Sequence, residues 1–235
     1  MSNYMGFTSD KANVFLLLVD KSGSMEDDRQ NLRNGLELYK KSFENFPEVN
    51  SIAVSLCQFD DSCYLGNFQQ IAEMDTKYYT DGGTALYYSI VTAAKYLQDY
   101  IQQVTQEKGI VPRATFVVFS DGEPCNDRAS REQGKNAIAN LNYSGVTTVF
   151  IAFGNGISSG FGKAMGFMST CDVKDRSVLA NFLGVELSNS CKEQSRSMKS
   201  LGANFFSQAA GNNDSQNFSQ TTSQVLEDTS WIDDI

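Results

Sequence analysis

The stretch Val14-Phe15-Leu16-Leu17-Leu18-Val19-Asp20-Lys21-Ser22-Gly23-Ser24-Met25 decides the fold. Six apolar residues without a polar break predict a strand buried on both faces, which is what a parallel sheet covered by helices requires. Asp20 follows at the strand's carboxyl end, the end at which open α/β sheets bind ligands. Asp20, Ser22 and Ser24 supply hard oxygen atoms, and Gly23 lets the backbone turn tightly enough to aim them inward. That donor chemistry suits Mg²⁺ or Ca²⁺ and does not suit Zn²⁺. The same Asp-x-Ser-x-Ser run is also the form of an ordinary turn into a helix N-cap.

Two later stretches match the first. Thr115-Phe-Val-Val-Phe-Ser120-Asp121-Gly122 is a second buried run ending in an acid, and Asp81-Gly-Gly-Thr84 is a glycine loop that delivers a hydroxyl just before a helical pattern. Asp-x-Ser-x-Ser, then Thr, then Asp are the three separated parts of a metal-ion-dependent adhesion site (MIDAS). On these residues the chain resembles the von Willebrand factor A (VWA) domain family from about Asn13 to about Ser200. The resemblance implies that Ser22, Ser24 and Thr84 contact a divalent ion, Mg²⁺ or Mn²⁺, while Asp20 and Asp121 bind it directly or hold its waters. Hydroxyls with only two carboxylates leave such an ion under-neutralised, so it seeks an acidic ligand from a partner.

The rest of the chain alternates strands and helices, which predicts an α/β, doubly wound (Rossmann-like), mostly parallel sheet with helices on both faces. Leu32, Leu36, Tyr39, Phe43 and Phe46 repeat at helical spacing before Pro47. Ile52–Phe59 is a strand, Asp60-Asp61 a tight turn, and Cys63–Phe68 one antiparallel edge strand. Leu86, Ile90, Ala94, Leu97, Ile101 and Val104 predict a helix opened by Thr84 and ended by Gly109. Ala137, Ile138 and Leu141 mark a weaker helix, Thr147–Phe153 a buried strand, Gly162–Met168 a short helix and Thr170–Val173 a last short strand. Leu179, Leu183, Leu187, Cys191 and Met198 predict one long closing helix, capped by Gly202.

These elements divide the chain into a lead-in at 1–12, a VWA domain at 13–202 and an acidic polar tail at 203–235. From Ser207 onward the sequence is rich in Gln, Asn, Ser and Thr with five acids and no base, a composition that cannot bury enough surface to fold alone. Val225, Leu226, Trp231, Ile232 and Ile235 are its apolar exceptions.

With 235 residues the chain is long enough for one large core. A formal net charge of −9 disfavours nucleic acid and anionic membrane surfaces as partners. The residues Met1–Thr8 have neither a basic region nor an apolar run, so no secretory signal is expected. The five cysteines form no disulfide framework, and a cytoplasmic setting with reduced thiols is expected. Cys57 and Cys63 read as small apolar residues at sheet positions.

The sequence contains no histidine, which removes Ser-His-Asp and Cys-His triads and every His-ligated metal site. Ser22 stands where an aspartyl-nucleophile phosphatase needs a second Asp. Gly154-Asn-Gly156-Ile-Ser-Ser-Gly160 misplaces the third glycine of a dinucleotide loop. The expectation is therefore a non-enzymatic protein–protein interaction module whose ion grips an acidic side chain of a partner. The alternative is a metal-dependent phosphoester hydrolase with Glu123 as base. Within the family, the length, the Asp-Gly-Gly-Thr-Ala-Leu loop and the terminal helix look most similar to bacterial tellurium-resistance-type VWA proteins. That resemblance implies kinase, phosphatase or ATPase partners in stress or defence.

Overall fold

A computed structural model describes residues 12–125, 127–197, 201–206 and 218–222. The lead-in up to residue 11, Met198 of the closing helix and the apolar positions from Val225 onward lie outside the described residues.

The sheet is built on β1 (Asn13–Asp20), which is buried along its whole length. It pairs in parallel with β2 (Ile52–Phe59) on one side and β5 (Arg113–Ser120) on the other. Beyond β5 come β6 (Thr147–Phe153) and β7 (Ser169–Val173), also parallel. Two short strands, β3 (Cys63–Tyr64) and β4 (Gln69–Gln70), run antiparallel to β2. The order is β3-β2-β1-β5-β6-β7-β8, where β8 is Phe218–Thr222, with β4 also on β2.

Side-chain alternation along β1 feeds two cores. Phe15, Leu17 and Val19 pack with α1 (Arg29–Ser42), α5 (Leu179–Asn181) and α6 (Ser188–Arg196). Val14, Leu16 and Leu18 pack with α2 (Leu86–Lys108), α3 (Arg131–Tyr143) and α4 (Ser159–Met165). This is the doubly wound α/β arrangement, and its strand order reverses between β1 and β5. The crevice outside the carboxyl ends of these two strands is where such sheets place a ligand.

Three regions differ from the sequence reading. Of the return strand expected over Cys63–Phe68 only Cys63–Tyr64 is strand, and a second short piece follows at Gln69–Gln70, because the backbone between them is drawn in at Gly66. There the Gly66 carbonyl accepts from the Ser55 hydroxyl at 2.8 Å and from the Tyr96 hydroxyl at 3.0 Å. The closing helix is interrupted by a π-helical segment, Phe182–Leu187. Leucines at every fourth position drift off the core face of a 3.6-residue helix, and the wider i→i+5 winding keeps Leu183 and Leu187 buried. The helix then ends at Arg196, with Ser197 extended.

The third difference lies past residue 202. Phe205 and Phe206 are buried in the α1-side core. Within the segment read as a tail, Phe218–Thr222 forms β8, antiparallel to β7. Backbone pairing at a sheet edge needs no apolar periodicity, so composition carries no signal for it.

The turn after β6 braces the site loop after β5. A Cβ on Gly156 would lie 2.3 Å from the Asp121 carbonyl oxygen, a backbone clash that no side-chain rotation relieves. Gly156→Ala is expected to destabilise the protein by about 1–3 kcal/mol, the usual cost of overpacking. A wild-type melting temperature in thermal denaturation would contradict that packing.

Candidate metal centre

Asp20 sits at the last position of β1 and is fully buried. One carboxylate oxygen accepts the Ser22 backbone N–H at 2.9 Å, and the other accepts the Ser120 hydroxyl at 2.6 Å. Its own carbonyl accepts from the Tyr78 hydroxyl. The chain then enters a 3₁₀ turn, Gly23–Asp28. Ser22 stands at the cap position of that turn, yet its side chain makes no capping bond. Ser22 Oγ lies instead 3.0 Å from Ser24 Oγ, and Ser24 Oγ donates to an Asp121 carboxylate oxygen at 2.7 Å.

Thr84 closes the group. The helix α2 is capped by Ala85 without a side-chain bond. The N–H groups of Tyr87 and Tyr88, second and third in the helix, donate to the Asp127 carboxylate. The Thr84 hydroxyl is therefore not used as a helix cap. A Cβ built on Gly122 would lie 3.7 Å from Thr84 Oγ1 and 3.8 Å from Ser24 Oγ. The glycine thus leaves open a small space that both hydroxyls border. The fold brings together Asp20, Ser22, Ser24, Thr84 and Asp121, from three loops at the carboxyl ends of the strands.

Electrostatics sharpen the picture. Burial pushes the Asp20 carboxyl up to about 6, against hydrogen bonds from Ser120 and Ser22 that hold it down, and nearby Asp121 adds to the rise. Burial also raises Asp121, opposed by Ser24 and by the positive charge of Arg176. Among the described residues neither carboxylate is in an ion pair. Neighbouring acids do have cations: Lys21 pairs with Asp60 at 2.5 Å, and Arg176 pairs with buried Asp28. Two desolvated carboxylates that make no ion pair among the described residues, with the hydroxyls of Ser22, Ser24 and Thr84 close by, form an all-oxygen donor set that fits a hard divalent ion. Among the described residues no group of three or more His, Cys, Asp or Glu gathers to hold a metal, here or elsewhere, so the centre stands on two carboxylates and hydroxyls.

Ser120, Tyr78, Asp127 and Arg176 were not singled out by sequence reasoning. Ser120 had a signal, since it immediately precedes Asp121 at a strand end. Tyr78, Asp127 and Arg176 had none, because each acts on a loop far away in sequence. All five cysteines are free, with Cys57, Cys171 and Cys191 buried and Cys125 exposed. The β2–β3 register sets Cys63 opposite Phe59. Among the described residues no helix is long and apolar enough to cross a membrane.

No protein-family model matches the chain. No curated protein sequence matches it either. Solved structures do. The pilus adhesin SpaC from Lactobacillus rhamnosus GG, in its open conformation, superposes with a TM-score of 0.61 at 13% identity, over 80% of this chain and 30% of that one. Proximal thread matrix protein 1 from the mussel byssus gives 0.54 at 17% identity, over 74% and 46%, in a structure with a zinc-occupied MIDAS motif. VWA2, the ArnB paralog of Sulfolobus acidocaldarius, gives 0.51 at 16%, over 76% and 46%. The chain thus spans less than half the length of each. At these identities the likeness is one of fold, and the fold is that of a VWA domain.

The raised Asp20 carboxyl has a consequence for the metal-free protein. Its proton is held more tightly folded than unfolded, so stability falls as pH rises from the ordinary value of 3.8 through about 6. The loss is on the order of 2–3 kcal/mol. Denaturant unfolding in a chelator at successive pH values should show this fall, and Asp20→Asn should flatten it.

Proposed function

We propose that the chain is a non-enzymatic protein–protein interaction module that binds a divalent cation, Mg²⁺ or Mn²⁺, through Asp20, Ser22, Ser24, Thr84 and Asp121. The observation that carries this reading is the pair of buried carboxylates, Asp20 and Asp121, neither in an ion pair among the described residues, with the Ser24 hydroxyl on Asp121, Ser22 Oγ beside Ser24 Oγ and the Thr84 hydroxyl near Gly122. A bound ion would supply positive charge and a coordination position for a carboxylate of a partner protein. The chain's own residues do the rest. Ser120 and the Ser22 N–H orient Asp20, Ser24 orients Asp121, and the Asp127 cap leaves the Thr84 hydroxyl available. The zinc-occupied MIDAS of the mussel protein, on the same fold, supports a divalent ion at this place.

The same proposal places residues 13–202 as the interaction domain and the protein in the cytoplasm, which the five free thiols support. It carries the setting that the sequence resemblance implies, bacterial stress or defence of the tellurium-resistance type, with kinase, phosphatase or ATPase components as partners.

The test is a calorimetric titration of the chelator-treated protein with Mg²⁺ and Mn²⁺. Wild type is expected to bind, and Asp20→Ala to lose about a hundredfold or more in affinity while remaining folded, since an outer ligand partner alone contributes ten- to a hundredfold. Thr84→Val keeps the side-chain shape and removes only the oxygen. It is expected to weaken metal-dependent capture of partners while changing stability by less than about 1 kcal/mol. Wild-type affinity in Asp20→Ala would refute the site. Turnover of phosphate esters that depends on the added ion would refute the non-enzymatic reading.

A further inference from the structure

Thr84 and Asp121 reach the site from loops far apart in sequence, so their relative position needs a direct tether. At Thr84 itself, Cys125 provides it. The Cys125 backbone N–H donates to the Thr84 carbonyl at 3.0 Å, and the Thr84 N–H donates back to Cys125 Sγ at 3.3 Å. Both main-chain polar groups of Thr84 thus meet a residue on the loop that carries Asp121.

The neighbours of Thr84 are held from elsewhere. The Gly83 N–H donates to Asp61 at 3.0 Å, and the Ala85 N–H donates to the Asp60 carbonyl at 2.8 Å. These bonds fix the Thr84 loop against β2; toward the Asp121 loop, Asp127 holds the start of α2 through the Tyr87 and Tyr88 N–H groups, and Cys125 is the residue that holds Thr84 itself. The sulfur is closely fitted, since a Cβ on Gly83 would lie 3.2 Å from it. The loop around it is secured further along, where Arg128 donates to the Asp61 carbonyl at 2.7 Å and lies 4.2 Å from the centre of the Tyr88 ring.

We propose that Cys125 is a positioning residue of the metal centre: by accepting the Thr84 N–H, its sulfur holds the Thr84 hydroxyl beside Ser24 and Gly122, where metal binding needs it. This rests on the metal-binding reading above. A thiol is a weak acceptor, so the bond sets a position and adds little to overall stability. Its position decides where one oxygen of the donor set stands.

The experiment compares wild type, Cys125→Ala and Cys125→Ser by three measurements: hydrogen exchange at the Thr84 amide in metal-free protein, Mn²⁺ affinity by calorimetry, and melting temperature. Cys125→Ala is expected to speed Thr84 exchange and weaken Mn²⁺ binding by about tenfold each, as loss of an outer partner of a ligand does. Cys125→Ser, whose hydroxyl accepts the same N–H, is expected to recover most of both. Melting temperatures should stay within about 3 °C of wild type. Iodoacetamide gives an arm that needs no refolding of a variant. The exposed Cys125 sulfur displaces iodide and releases its proton to buffer, and the added group cannot fit against Gly83, so Mn²⁺ affinity should fall.

Unchanged Thr84 exchange and Mn²⁺ affinity in Cys125→Ala would overturn the role of Cys125, as would full affinity in protein shown by mass to be alkylated there. Wild-type protein that binds no Mn²⁺ at all would instead overturn the metal-binding reading and, with it, this one.

Discussion

A carboxylate buried at the end of a strand that is buried along its whole length is the constraint on which the rest of this structure depends. The apolar side chains Val14 to Val19 are nearly free of solvent, and each contributes roughly 1.5–3 kcal/mol on burial. That sum outweighs the several kcal/mol of desolvating one charged group, so the strand holds Asp20 in the interior whatever its protonation state. The cost is moderated locally by the Ser22 N–H and the Ser120 hydroxyl. It is not cancelled, and the raised Asp20 carboxyl is its record.

Parallel pairing turns this one residue into a site. Because β1, β2 and β5 run in the same direction, their carboxyl ends and the loops that follow share one edge of the sheet. Asp20 and Ser120 meet there because β1 and β5 are adjacent and in register up to Val19 and Phe119. The glycine loop before α2 is drawn in by backbone bonds, Gly23 N–H to the Gly82 carbonyl and Asp81 N–H to the Lys21 carbonyl. None of these contacts uses the hydroxyls of Ser22 or Thr84. Helix capping, the ordinary use of such residues, falls to Asp127 at α2, and Ser22 Oγ stays beside Ser24 Oγ while the Thr84 hydroxyl borders the space next to Gly122.

The cations nearby are arranged so as not to neutralise the centre. Lys21 is tied to Asp60 and lies over the Tyr64 ring, and Arg176 is tied to Asp28 beside Phe153. Arg176 is about half exposed, so its ion pair contributes little to stability. Its field nonetheless reaches Asp121 and opposes the effect of burial there. Among the described residues no cation offsets the burial of Asp20 in this way, and the oxygen donors around it are of the kind that suits a hard divalent ion.

The strands β1, β5 and β6 were legible in the sequence because burial on both faces leaves an uninterrupted apolar run, and Asp20 and Asp121 were legible because they end such runs. The helix α2 was legible through its 3.6-residue period and its stop at Gly109. Elsewhere the deciding contacts were remote. The π-helical segment depends on keeping Leu183 and Leu187 against α1, and the broken edge strand depends on Tyr96 and Ser55 pulling Gly66 inward. The strand β8 depends on an open edge of β7 that no local pattern reveals. Local chemistry could name the five candidate oxygen donors that the fold brings together, since strand ends and glycine loops mark themselves in sequence. Which hydroxyls are left uncapped, which carboxylates lack a cation and which residue holds Thr84 to the Asp121 loop were decided only by the tertiary structure. Each is a relation between segments that the chain separates and the sheet brings together.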